Sequence, residues 1–132
     1  MNNQMTIPIV LFAMLLSAFT SIKAQENKWV EILTPFEFKK AIEVDNAQLV
    51  DVRTTAEFEE GYIQSALNID YFLEEEFHMA FDKLDKTQPV FIYCRSGNRS
   101  AKSAIRLQEM GFEKIYDLEG GFMSWPYESV NN

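Results

Sequence analysis

The segment that most constrains the fold is a short apolar run that ends at the only cysteine of the chain. Residues Pro89–Tyr93 are apolar at every position, which is typical of a central parallel strand covered by helices on both faces. The polar segment Cys94–Arg99 follows directly, and an amphipathic helical pattern occupies Ser100–Met110. We therefore expect a strand, a tight loop and a helix in direct succession, as in an α/β sheet.

The same alternation of strands and helices extends over the rest of the chain. Strands are predicted at 29–33, 47–52, 66–69 and 114–118, and a helix at 71–84. Another helix is predicted after Thr34, because Thr is a preferred N-cap, Pro35 suits the first helical position and Glu37 the third. This order predicts a mainly parallel central sheet of about five strands, flanked by helices and joined by right-handed crossovers.

The predicted helix at 100–110 has an apolar and a polar face. Its inward residues are expected to be Ala101, Ala104, Ile105 and Leu107, and its outward residues Lys102, Ser103, Arg106 and Glu109. Gly111 follows as the residue that ends the helix.

Residues 1–24 have the pattern of a secretory signal peptide. The run 7–19 is apolar and is followed by small and polar residues up to Ala24. It is shorter than the ~20 apolar residues of a membrane-spanning helix. Although Met1–Thr6 contain no Lys or Arg, we expect a cleaved leader, an exported and periplasmic protein with no stable membrane insertion, and one domain at 25–132. An uncleaved N-terminal membrane anchor is the alternative.

Composition excludes several classes of protein. With 47% hydrophobic and 24% charged residues, the chain is typical of a globular domain and not of a disordered one. The net charge of −8 argues against nucleic acid as a partner. The single cysteine excludes an internal disulfide. In an exported protein, an unpaired cysteine favours a reactive role over that of a small buried hydrophobic residue.

The loop around Cys94 is predicted to hold an anion. Cys94 follows a parallel strand, at the sheet edge where open α/β folds bind ligands. The residues that follow are short enough to curl around the sulfur with their amides turned inward, and Gly97 suits a positive φ. The helix N-terminus adds positive potential. The loop and helix-start residues expected at the site are Arg95, Ser96, Gly97, Asn98, Arg99 and Ser100. Together they favour the thiolate and a bound anionic substrate or charged intermediate.

The loop length separates two chemistries that use such a cysteine. Cysteine-dependent phosphatases need one more residue between the cysteine and the phosphate-binding arginine than the four between Cys94 and Arg99. Tyr93 stands where those enzymes commonly have His, and no leaving-group acid is evident. The shorter loop therefore favours a smaller group, such as a single sulfur atom.

Three segments, in the same order, resemble the single-domain rhodaneses, a family of thiosulfate sulfurtransferases. Cys94–Ser100 resembles the family's active-site loop, and Leu49–Ile69 is similar to its signature V-D-V-R-x-x-x-E-F-x-x-G-H-I-x-G-A-x-N-I. Gly120–Pro126 resembles its C-terminal motif. Tyr62 replaces the usual His and Ser65 the usual Gly. The resemblance implies a rhodanese-like three-layer fold.

The resemblance also implies a ping-pong sulfur transfer. The Cys94 thiolate would attack the outer sulfur of thiosulfate or a persulfide, and cyanide or a thiol, including a thiol on a protein, would then take the sulfur. The loop amides would stabilise the outer sulfur, and Arg95 and Arg99 are candidates for contact with an anionic donor. Asp51 and Arg53 are expected to support the strand end as an ion pair. No metal or organic cofactor is required.

Two other functions remain open: a persulfide carrier without turnover, and a cysteine-dependent phosphatase or arsenate reductase. Three other features receive mainly structural interpretations. His78 and the acidic run 74–76 are expected to face solvent. The aromatic residues Tyr93, Phe122 and Trp125 are expected either to pack or to line the pocket mouth. Because no second cysteine is present, the sulfur acceptor must come from outside the chain.

Overall fold

The computed structural model describes residues 29–131, so the expected leader at 1–24 lies outside the described residues. The described part forms one parallel sheet. Its strands are β1 (Val30–Leu33), β2 (Gln48–Asp51), β3 (Leu67–Asn68), β4 (Val90–Tyr93) and β5 (Ile115–Leu118). Their order is β1-β5-β4-β2-β3, with every neighbouring pair parallel. The predicted α/β class with a parallel sheet of five strands is confirmed.

Four helices and one short 3₁₀ turn connect or follow the strands. They are α1 (Pro35–Ile42), α2 (Thr55–Glu60), α3 (Glu74–Phe81), α4 (Asn98–Glu109) and the turn Phe122–Ser124. Thr34 caps α1 as predicted, accepting the Glu37 amide at 3.3 Å. Helix α3 is shorter at both ends than the predicted 71–84, and α4 begins before Ser100.

The sheet has a separate apolar core on each face. On one face, α3 and α4 pack over Val50, Val52, Val90, Ile92 and Ile115 through Phe77, Phe81, Ala104 and Leu107. On the other face, α1 places Phe38 against Leu33, Leu49, Phe91, Tyr93 and Leu118. The side chains of β4 are divided between the two cores, which is why the whole strand is buried.

The predicted inner face of α4 is partly wrong. Ala101 is exposed and Ile105 is 59% exposed, whereas Ser103 is completely buried. The buried stripe is Ser100, Ser103, Ala104 and Leu107, which follows the three- and four-residue spacing of a helix face. Ser100 lies on this stripe with its hydroxyl against the Cys94 sulfur and the Gly97 carbonyl, so a polar contact with the cysteine loop accompanies the buried apolar residues.

The topology places a crevice at the carboxyl ends of β2 and β4. The chain leaves β2 toward β3 on one side, and it leaves β4 toward β5 on the other. In open α/β sheets, this reversal between neighbouring strands is where ligands bind. Arg53 follows β2 and Cys94 follows β4, so both lie at this point.

Two further features bear on function. Within residues 29–131, no helix combines the length and the hydropathy needed to cross a bilayer. The same residues contain no group of three His, Cys, Asp or Glu side chains placed to hold a metal ion.

Candidate active site

Cys94 lies directly after β4 and is 1% exposed. Its Sγ atom accepts a hydrogen bond from the Gly97 amide at 3.1 Å, and it lies 3.4 Å from the Ser100 hydroxyl oxygen. The loop therefore curls back so that an amide and a hydroxyl reach the same sulfur atom.

The conformation of Gly97 allows this curl. Its φ of +107° is unfavourable for residues with a side chain. Its carbonyl accepts hydrogen bonds from the Ala101 amide at 3.1 Å and the Ser100 hydroxyl at 3.2 Å, so Gly97 is also the N-cap residue of α4. The first amides of a helix have no partners within the helix, and their positive potential favours an anion at this end. The site thus suits a thiolate or another small anion.

Arg99 is held by the Glu57 carboxylate, which was not among the predicted site residues. Its two terminal nitrogens donate to Glu57 Oε1 at 2.7 Å and Oε2 at 2.9 Å. The Arg99 hydrogen bond is the main reason that the pKa of Glu57 falls to about 2. The pKa of Arg99 is raised, first by this hydrogen bond, and negative charge at Cys94 contributes to the rise. Arg99 thus adds positive potential near the sulfur while it is bound to Glu57.

Arg95 differs from Arg99 because its side chain is exposed. It lines a groove of about 420 Å³ beside the loop, together with Arg53, Glu57, Glu60, Gly61, Phe122 and Met123. Ser96 and Asn98 are also exposed. Among the loop side chains, Arg95 is therefore the cation that is accessible to a donor entering this groove.

Asp51 and Arg53 form a buried ion pair at the end of β2. Arg53 Nη2 lies 2.6 Å from Asp51 Oδ2, and the two side chains are 5% and 0% exposed. The Arg53 guanidinium also donates to the Gly61 carbonyl at 2.6 Å and lies 4.2 Å from the centre of the Phe122 ring. The Asp51–Arg53 ion pair thus connects the end of β2 to Phe122, in the C-terminal segment that holds the cysteine loop.

The C-terminal segment holds the cysteine loop through its backbone. The Phe122 amide donates to the Cys94 carbonyl at 2.8 Å, and the Met123 amide donates to the Arg95 carbonyl at 3.0 Å. A Cβ atom on Gly121 would lie 2.5 Å from the Arg95 carbonyl oxygen, so a side chain there would displace the loop. The sequence signal for this contact is the Gly120-Gly121 pair, which indicates a turn and belongs to the C-terminal motif.

The remaining candidate residues lie around the site or away from it. The Tyr93 hydroxyl accepts the Ile63 amide at 3.0 Å in the core, and burial raises the pKa of Tyr93. Trp125 packs edge-on against Phe38 on the α1 side of the sheet. His78 is exposed on α3. The structure thus brings Cys94 together with Gly97, Ser100 and Arg99 and leaves these aromatic residues in packing roles.

The fold and site define a class: parallel α/β domains with a cysteine loop between the central strand and the following helix. The comparison with family models specifies it further. The model described as Rhodanese-like domain matches residues 34–128. The chain belongs to this family, and the resemblance noted in the sequence is confirmed.

Relatives and solved structures agree with this assignment. The chain is 31% identical over 119 residues to the uncharacterized protein YqhL of Bacillus subtilis (strain 168), covering 90% of each chain. It is 38% identical over 77 residues to the thiosulfate sulfurtransferase GlpE of Coxiella burnetii, covering 58% of this chain and 69% of that protein. A rhodanese-like domain protein from Staphylococcus aureus superposes with a TM-score of 0.67 at 31% identity, over 77% of this chain and 98% of that one.

The domain also occurs within larger proteins. The tRNA uridine(34) hydroxylase of Pelagibacter ubique is 28% identical over 102 residues, which is 77% of this chain but 34% of that protein. Family membership therefore indicates a sulfurtransferase-type domain, without specifying the donor or the acceptor.

Proposed function

We propose that this protein is a sulfurtransferase that carries one sulfur atom as a persulfide on Cys94. The observation that carries the proposal is the Cys94 sulfur at the end of β4, 3.1 Å from the Gly97 amide and at the start of α4. This setting stabilises a small anion, and both the thiolate and the terminal persulfide sulfur are small anions. The similarity to GlpE supports the same class of reaction.

The proposed reaction has two displacement steps. The Cys94 thiolate attacks the outer sulfur of thiosulfate, the sulfur–sulfur bond of the donor breaks, and sulfite leaves with its electron pair. Cys94 then bears a persulfide with the negative charge on its outer sulfur. Cyanide or a thiolate attacks that sulfur, and Cys94 leaves as the thiolate. With a persulfide donor, the leaving group of the first step is a thiolate.

The site argues against phosphoryl transfer. A phosphatase of this kind needs a guanidinium free to bind the phosphate oxygens. Arg99, the loop arginine nearest to the spacing of that phosphate-binding residue, is bound by Glu57 through both terminal nitrogens, and the Ser100 side chain lies beside the sulfur. These contacts leave a short loop suited to one additional sulfur atom.

Export to the periplasm is part of the proposal and rests on the apolar run at 7–19 followed by Ala24. Cleavage would leave residues 25–132 as the working domain. A small sulfur donor and a thiol or cyanide acceptor, including a protein thiol, are the proposed partners. N-terminal sequencing of protein from the periplasmic fraction tests the leader, and an intact Met1 contradicts its cleavage.

A transfer assay tests the proposed activity. Purified protein is given either thiosulfate or a low-molecular-weight persulfide with cyanide, and thiocyanate is measured. We expect turnover that Cys94→Ser abolishes and that His78→Gln, a change at an exposed histidine, leaves intact. Thiocyanate formation unchanged in Cys94→Ser, or hydrolysis of an aryl phosphate without sulfur transfer, contradicts the proposal. Sulfur binding without turnover identifies a carrier.

A further inference from the structure

The groove beside the cysteine loop contains one cation and one anion that are both available to a ligand. Arg95 and Glu60 line this groove, and both side chains are exposed. Across residues 29–131, neither side chain takes part in an ion pair or a hydrogen bond. The groove therefore presents a guanidinium and a carboxylate that have no partner in the described part of the chain.

The other charged side chains of the groove are already paired. Glu57 accepts hydrogen bonds from Arg99 at 2.7 and 2.9 Å, and Arg53 Nη2 lies 2.6 Å from Asp51 Oδ2. Within each pair, the two charges offset each other. Recognition of a charged ligand therefore depends on the two unpaired groups, which are of opposite sign and suit a ligand that carries both charges.

The size of the groove and its apolar part limit the ligand further. The groove has a volume of about 420 Å³, which is within the range of ~300–1,000 Å³ typical of small-molecule sites. Phe122 and Met123 supply its apolar lining, and the Met123 side chain is 67% exposed. A thioether side chain packs adaptably against a short aliphatic or sulfur-containing segment. These features favour a small molecule.

The residues that line the groove also hold the loop of the nucleophile. Arg95 directly follows Cys94 in the chain. The Phe122 amide donates to the Cys94 carbonyl at 2.8 Å, and the Met123 amide donates to the Arg95 carbonyl at 3.0 Å. A ligand in this groove is therefore adjacent to the loop that carries the reactive sulfur.

We propose that this groove selects low-molecular-weight thiols that carry both a carboxylate and an ammonium group, as cysteine does. The Arg95 guanidinium binds the ligand carboxylate, and the Glu60 carboxylate binds the ligand ammonium group. The inference rests on the proposed function and names the class of its thiol acceptor. The acceptor thiolate attacks the outer sulfur of the Cys94 persulfide, and the bond between the two persulfide sulfurs breaks. Cys94 leaves as the thiolate, and the acceptor becomes a persulfide.

Transfer to three related thiols tests this selection. Protein already loaded with sulfur is given cysteine, N-acetylcysteine, which lacks the ammonium group, or cysteine ethyl ester, which lacks the carboxylate. The second-order rate constant of sulfur transfer is measured for each thiol. Each variant is compared with the wild type for the same thiol, because this comparison cancels the intrinsic reactivity of that thiol.

The two groove residues should affect different thiols. We expect Glu60→Gln to lower the rate constant about three-fold for cysteine and its ester, and to leave that for N-acetylcysteine unchanged. We expect Arg95→Gln to lower the rate constant about three-fold for cysteine and N-acetylcysteine, and to leave that for the ester unchanged. Equal changes for all three thiols in either variant would contradict the inference.

Two exposed residues outside the groove provide matched controls. Glu59→Gln removes the same charge from the neighbouring position of α2, and Lys102→Gln removes a positive charge from α4. Both variants should keep the wild-type order of preference among the three thiols. If either control reproduces the pattern of a groove variant, the selection comes from overall charge and the inference is wrong.

A ligand without a thiol separates binding from sulfur transfer. S-methylcysteine keeps both charged groups but cannot accept sulfur, and its binding is followed by the amide NMR signals of Gly61, Phe122 and Met123. We expect saturable shifts, with a Kd that rises about three-fold in Glu60→Gln. N-acetyl-S-methylcysteine should bind more weakly than S-methylcysteine to the wild-type protein and equally to both proteins. Absence of saturable shifts contradicts the inference.

The outcome is separable from that of the proposed function. If Cys94 turns over sulfur but S-methylcysteine causes no shifts, the ligand class is wrong and the sulfurtransferase assignment stands. If S-methylcysteine binds as expected but no donor loads Cys94, the groove remains a site for such zwitterions and the sulfurtransferase assignment fails.

Discussion

Arg99 and Glu57 determine how much positive charge a sulfur donor meets at the loop. Glu57 binds both terminal nitrogens of Arg99, and its lowered pKa of about 2 keeps it ionised at neutral pH. Glu57 also lines the groove that contains Arg95. Under the proposed function, a dianionic donor such as thiosulfate would therefore meet one accessible arginine and a nearby carboxylate.

Substitution of Glu57 by Gln should shift donor preference toward thiosulfate. Position 57 is the third residue after the Thr54 cap, where either Glu or Gln can complete a capping box, so Gln should keep α2 intact. Gln has no negative charge, so it no longer neutralises Arg99. We expect kcat/KM for thiosulfate to rise about five-fold relative to a persulfide donor of lower charge, equivalent to about 1 kcal/mol. Steady-state assays with both donors measure the ratio.

Glu37→Gln is the matched control, because Glu37 occupies the same position after the Thr34 cap of α1. It should leave the donor ratio unchanged. Equal changes for both donors in Glu57→Gln would show that Glu57 acts on the fold and not on donor charge.

The nucleophile was predictable because its signals are local, whereas its partners were not. Cys94, Gly97 and the start of α4 lie within one short segment whose residue types agree. Glu57 lies 42 residues from Arg99, and the Phe122 and Met123 amides that hold the loop come from the segment after β5. These contacts depend on which strands are neighbours, information that local patterns do not contain.

Among the elements, the turn before β3 contains an unfavourable residue. Ser65 has a φ of +71°, a conformation that favours glycine, and this is the position where the family motif has Gly. The sequence shows that Ser replaces the Gly of the family motif at position 65. Only the structure shows that this replacement strains the backbone.

Ser65→Gly should therefore stabilise the domain. Relief of the left-handed strain outweighs the larger entropy of glycine in the unfolded chain, and we expect the free energy of unfolding to rise by about 0.5–1 kcal/mol. Chemical denaturation measures it. Gln64→Gly, at the preceding position with negative φ, should lower stability instead. A Ser65→Gly variant no more stable than the wild type would contradict this reading of the turn.

The elements that sequence patterns missed are those that bury little apolar surface. Helix α2 has no buried residue, so periodicity does not reveal it, and its Thr54–Glu57 capping box is its clearest local signal. In α4, exposed Ile105 and buried Ser103 reverse the hydrophobic expectation. Thr34 was predictable since its cap is a local hydrogen bond.

For the molecule as a whole, strand order brings the site together. The connections after β2 and after β4 lead to opposite sides of the sheet, which places the Asp51–Arg53 pair beside the cysteine loop. Phe122 links the two, because its ring lies against the Arg53 guanidinium and its amide donates to the Cys94 carbonyl. Alternating strands and helices predicted the parallel sheet. The order β1-β5-β4-β2-β3 could not be derived from that alternation, because several orders satisfy the same right-handed crossovers.

The most direct test is the intact mass of the protein after incubation with thiosulfate or a persulfide and removal of the excess donor. We predict a gain equal to one sulfur atom, located on the peptide that contains Cys94. This gain should be lost on addition of cyanide and absent in Cys94→Ser. An unchanged mass with both donors, or a gain that persists in Cys94→Ser, would contradict a persulfide held by this loop.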